Sequence, residues 1–109
     1  MSGKNWFHNL FHHHVNNHNL AGALGAAKVT LEQLNTLEHW SWFPQFETAA
    51  TTAINALNAW QPGQPKTQIV ESLNLAVGIL NGVEGLSQKD KTTIAIFVGA
   101  AESALAFLG

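Results

Sequence analysis

The chain has 109 residues, enough for one domain with one modest core. It holds no Cys, Arg or Tyr, its formal charge is −2, and only 11% of its residues are charged, against about 25% in ordinary globular chains. The missing Cys excludes disulfides, thiolate metal sites and cysteine catalysis, and the missing Arg, with Lys4, Lys28, Lys66, Lys89 and Lys91 mostly scattered, argues against a nucleic-acid partner, which needs a basic footprint.

The first segment is unusual. "NWFHNLFHHHVNNHN", Asn5 to Asn19, holds five of the six histidines within eleven positions, between bulky aromatics. We read residues 1–19 as an N-terminal arm or amphipathic helix and residues 20–109 as a helical bundle. On a helical wheel Trp6, Phe7, Leu10, Phe11 and Val15 share one broad face. His14 and His18 fall near its centre, His8 and His12 on one flank, and His13 near the other.

Three roles compete for this segment. In the favoured one the aromatic face packs on the bundle or on a partner, and the imidazoles form a half-polar rim. A separate, pH-sensitive version of this role has the arm dock with neutral histidines and loosen as pH falls. In the second, His8/His12 and His14/His18, each one helical turn apart, chelate a divalent transition metal such as Zn through neutral nitrogens. His39 adds a ligand only if the fold brings it close, and there is no Glu-x-x-His motif to suggest a di-iron bundle. In the third, Trp6, Phe7, Leu10 and Phe11 lie on a membrane surface. Lys4 is the only nearby cation, so that reading is the least favoured.

Helical periodicity then predicts four core helices. The first spans about 20–38, with Leu20, Leu24, Ala27, Leu31 and Leu34 on one face. Gly22 and Gly25 weaken its first turns by about 1 kcal/mol each, or admit the close approach of another backbone. "HWSWFPQF" (39–46) is a corner, with Ser41 as candidate cap and Pro44 in the first helical turn, where its missing N–H is harmless. Trp40 and Trp42 close the end of the core, or form an exposed aromatic binding patch. The second helix runs to about Trp60, with Phe43, Phe46, Ala50, Ala53, Leu57 and Trp60 repeating along one face.

"QPGQPK" (61–66) is a firm break. A third helix spans about 67–80, with Ile69, Leu73, Ala76, Val77 and Leu80 inward, and Asn81 or Gly82 as a left-handed cap. Ser87 opens the fourth helix, with Asp90 three residues on in a capping-box arrangement. Its inward residues are Ile94, Phe97, Val98, Ala101, Leu105 and Leu108, with Glu102 at the edge of that face. The stretch 93–109 is apolar but interrupted by Glu102 and Ser103, so it reads as a core helix and not a membrane span. No signal peptide is evident, which makes a cytoplasmic location the default expectation.

The expected fold is therefore all-α: a small, mostly antiparallel bundle of about four helices with an N-terminal aromatic and His-rich arm. No nucleophile motif or phosphate-cradling glycine loop is present, so no catalytic residue is assigned. The expected function is non-enzymatic: self-assembly, or docking into a larger complex, through Trp6, Phe7, Leu10, Phe11, Trp40 and Trp42. A metal-binding bundle using His8, His12, His14 and His18 is the alternative.

Overall fold

The spacing of apolar residues produces the predicted elements. The computed structural model describes residues 16–109, which form α1 (Asn17–Glu38), α2 (Phe43–Ala59), α3 (Thr67–Asn81) and α4 (Gln88–Leu108). Among the described residues there is no strand.

The helices run up, down, up and down. Asn17, at the start of α1, bonds the Leu57 and Trp60 carbonyls at the end of α2. Lys66, just before α3, bonds the Leu108 carbonyl at the end of α4. That ammonium sits where the α4 dipole favours a cation. The most extensive packing is between α2 and α3, followed by α1 with α4 and α1 with α2; the α3–α4 seam is much lighter than these three.

The core follows the predicted faces closely. Leu20, Leu24, Ala27 and Leu31 of α1 are buried, as are Phe43, Phe46, Ala50, Ala53 and Leu57 of α2. Ile69, Leu73, Ala76 and Leu80 of α3 and Ile94, Phe97, Ala101 and Leu108 of α4 complete it, joined by Ala21, Ala49 and Ala104. Leu34, Val77, Val98 and Leu105 pack against its rim. At the centre the Phe46 ring meets Phe97 edge-on, with centroids 4.9 Å apart. Each ring contributes about 2–3 kcal/mol by leaving water, and the edge-to-face geometry adds roughly 1 kcal/mol.

Four local expectations are corrected. First, α1 begins at Asn17, not Leu20. Asn16 is extended (φ −138°, ψ 173°), and its side chain accepts from the Asn19 N–H at 2.8 Å. It is the N-cap, so Asn17–Asn19 belong to the bundle and not to the arm.

Second, Ser41 does not cap α2. The residue before the helix is Trp42, which has helical dihedrals and makes no side-chain cap bond. Pro44 does lie in the first turn, as expected, and removes one N–H that would otherwise need a partner. Third, Gly82 is right-handed (φ −86°), and its N–H closes α3 onto Gly78 and Ile79 carbonyls; the left-handed residue of that loop is Gly85 (φ 75°). Fourth, a Cβ built on Gly22 or Gly25 meets nothing within 4 Å, so no backbone of the described residues approaches them.

Ser87 caps α4 as expected: its hydroxyl accepts from the Asp90 N–H at 3.2 Å. At the other end of α1, Asn35 holds the corner twice. Its carbonyl accepts from His39 N–H at 2.8 Å, and its side-chain oxygen accepts from Trp40 N–H at 2.7 Å. His39 itself is left-handed (φ 54°, ψ 52°).

Candidate interaction surface

Of the predicted interaction residues, Trp6, Phe7, Leu10 and Phe11 lie outside the described residues. Trp40 and Trp42 are brought together. Their rings stack with centroids 4.8 Å apart and planes 21° from parallel, and Trp42 continues onto Phe43 and Phe46. Both indoles are half-buried, so they close the core at the α1–α2 corner and still reach the surface. At the opposite end Trp60 packs edge-on against Phe107 at 6.0 Å, and its indole N–H donates to the Gln64 carbonyl.

His8, His12 and His14 also lie outside the described residues. His18 is exposed on α1, and its Nδ1 lies 2.9 Å from Asn58 Oδ1 of α2. The one-turn spacing of His14 and His18 assumes helix through residue 16, and Asn16 is extended there. His39 stands at the other end of α1 from His18, about 31 Å away along the axis. Among the described residues, no group of three or more His, Asp or Glu side chains is placed to hold a metal ion.

Two surface depressions were not anticipated. The first is an open groove of about 720 Å³ between α2 and α3, lined by Pro44, Gln45, Thr48, Ala49, Thr52, Ser72, Leu75 and Ile79. The second, about 760 Å³, lies at the corner between Trp40 and Trp42 and the α3–α4 loop, with Glu38 and Glu84 on its rim. Gln45 and Ile79 line both, so the two run into one another.

The groove is more apolar than its residue names suggest. Thr48 Oγ1 donates to the Pro44 carbonyl at 3.0 Å, and Ser72 Oγ donates to the Gln68 carbonyl at 2.6 Å. Each hydroxyl is satisfied by its own helix one turn back. Leu75, 59% exposed, stands in the groove wall.

The same pattern recurs elsewhere. Exposed Thr30, Thr36 and Thr92, and buried Thr93, also donate to carbonyls of their own helices. Among the described residues the only ion pair is Lys28–Glu32, at 2.8 Å on α1. Val29, Leu37, Leu75 and Ile96 are large hydrophobics left in solvent, Leu37 at 80% exposure. Sequence periodicity could have flagged them as apolar residues off the core face, but threonine back-bonding leaves no sequence signal.

Glu102 is exposed, as its edge position implied. By length and composition α4 is the one described helix that could cross a membrane. Within the bundle it supplies Phe97, Ala101 and Ala104 to the core.

The described residues form a small all-α, up-and-down bundle of four helices with a weakly charged, partly apolar exterior. No protein-family model, curated protein or solved structure matches the chain.

Proposed function

We propose that the protein is a non-enzymatic structural or interaction subunit, which assembles with itself or docks into a larger complex through the aromatic and His-rich segment before Asn16 and its low-charge helical surface. The observation that carries this reading is the exterior of the bundle. Val29, Leu37, Leu75 and Ile96 face solvent on a body whose described residues make one ion pair. Of these Leu75 stands in the wall of the α2–α3 groove, where an uncharged depression and an exposed apolar side chain coincide; Val29 and Leu37 on α1 and Ile96 on α4 lie apart from it. The stacked Trp40–Trp42 corner adds the side chains most enriched in interface anchors.

The test is size-exclusion chromatography with light scattering on metal-stripped protein, with and without Zn²⁺, and elemental analysis of untreated protein. A concentration-dependent assembly that ignores metal supports the reading. A monomer carrying stoichiometric metal overturns it and makes the histidine segment the functional site.

A further inference from the structure

We infer that the α2–α3 groove is the receptor for segment 5–15 of a second copy of the chain. This deepens the assembly reading above and rests on it. Fifteen residues precede Asn16, and they carry Trp6, Phe7, Leu10, Phe11 and Val15 but only one charged side chain, Lys4. The groove has a matching character: none of its lining residues is charged, and Leu75 stands exposed in its wall. Within the groove a charged peptide finds no counter-ion, the nearest carboxylates being Glu38 and Glu84 of the corner depression, whereas an aromatic, nearly uncharged segment needs none. The dimensions also agree. Eleven residues in a helix span about 16 Å, and the α2 wall from Pro44 to Thr52 spans about 12 Å before the corner depression extends it.

The point where the chain leaves the body selects the donor. Asn16 caps α1, and Asn17 is tied to the Leu57 and Trp60 carbonyls, on the side of α2 that faces α1. The groove lies on the side that faces α3. Val15 is one residue before the cap and Phe11 five, so a copy's own segment must first wrap round α2. The groove of another copy imposes no such detour. Each copy gives one segment and offers one groove, so the product is a two-fold dimer if two copies exchange segments, and otherwise a larger ring or an open chain.

Two full-length variants test this. Trp6→Glu/Phe11→Glu spoils the segment, and Leu75→Glu, at an exposed position, spoils the groove. Circular dichroism establishes that both stay helical. Each variant alone is expected to lose self-association by roughly thirtyfold or more, the size of an interface hot spot. Mixed, the two should form a discrete 1:1 heterodimer by light scattering, since one intact segment and one intact groove remain. If both variants assemble like the wild type, or the mixture stays monomeric while the wild type assembles, the inference is overturned and the assembly reading stands. A wild-type chain that is monomeric at every concentration overturns both.

Discussion

The side-chain amide of Asn17 donates to the Trp60 carbonyl at 2.8 Å, and that bond closes one end of the bundle. The same nitrogen donates to the Leu57 carbonyl at 3.0 Å. Both acceptors lie at the end of α2, where carbonyls lose their i+4 partners; the Leu57 carbonyl also accepts from the Trp60 N–H at 3.2 Å. Asn17→Ala should lower stability by about 1–2 kcal/mol, read from denaturant midpoints. Asn17→Asp should cost more, although a carboxylate in the first turn of α1 gains about 0.3–1 kcal/mol from the helix dipole. It sets oxygen lone pairs against two carbonyl oxygens. An aspartate variant as stable as wild type would show that the amide bonds hold nothing.

Phe46 and Phe97 form the centre of the core. Phe97→Ala should cost about 3–5 kcal/mol, a large share of the ~5–15 kcal/mol that holds a small domain together. Phe46→Ala should be comparable. Because the rings touch, the double variant should lose less than the sum of the two, by roughly 1 kcal/mol. Strict additivity in a double-mutant cycle would remove the edge-to-face contact from the account.

His39 is the only non-glycine residue with positive φ among the described residues. A left-handed residue with a Cβ costs about 1–2 kcal/mol, and glycine recovers that at an entropic cost of about 0.5–1 kcal/mol. His39→Gly should therefore raise stability, by up to about 1 kcal/mol, and His39→Val should lower it. Thermal unfolding followed at 222 nm checks the order.

Gly22 and Gly25 sit in a helix with open space where a Cβ would go. Replacing each with Ala should stabilise α1 by about 0.5–1 kcal/mol, since neither conformation nor packing requires glycine. A loss of stability at either position would reveal a close neighbour beyond the described residues.

The helices were legible because punctuation and periodicity agreed. The run from Gln61 to Lys66 could not be helical, and Phe46, Leu57, Leu73 and Phe97 fell on single faces. Ends were read less well, because caps depend on dihedrals that side-chain identity only suggests. Asn16 caps α1, yet Asn17 and Asn19 beside it are equally plausible cap residues, and the apolar period runs through all three. Ser41 looks like a better cap than Trp42, but the stacked indoles fix the corner first. The α2–α3 groove was invisible in the sequence: it is the gap left where Ala49 and the back-bonded Thr48 and Ser72 face one another across two helices. Trp40 and Trp42 were found because their size alone demands a surface to cover.

The hydroxyls that bond their own helices, and the single ion pair (Lys28–Glu32) among the described residues, have a consequence for how the molecule responds to its solvent. Raising ionic strength from about 0.1 to 1 M shrinks the reach of charge from about 10 to 3 Å, yet there is almost nothing here for it to screen. Unfolding midpoints should stay nearly flat in sodium chloride. Excluded salts such as sulfate strengthen apolar burial, so ammonium sulfate should tighten both the fold and any association. In that respect the bundle behaves less like a polyelectrolyte than like a droplet of packed hydrocarbon with a neutral skin.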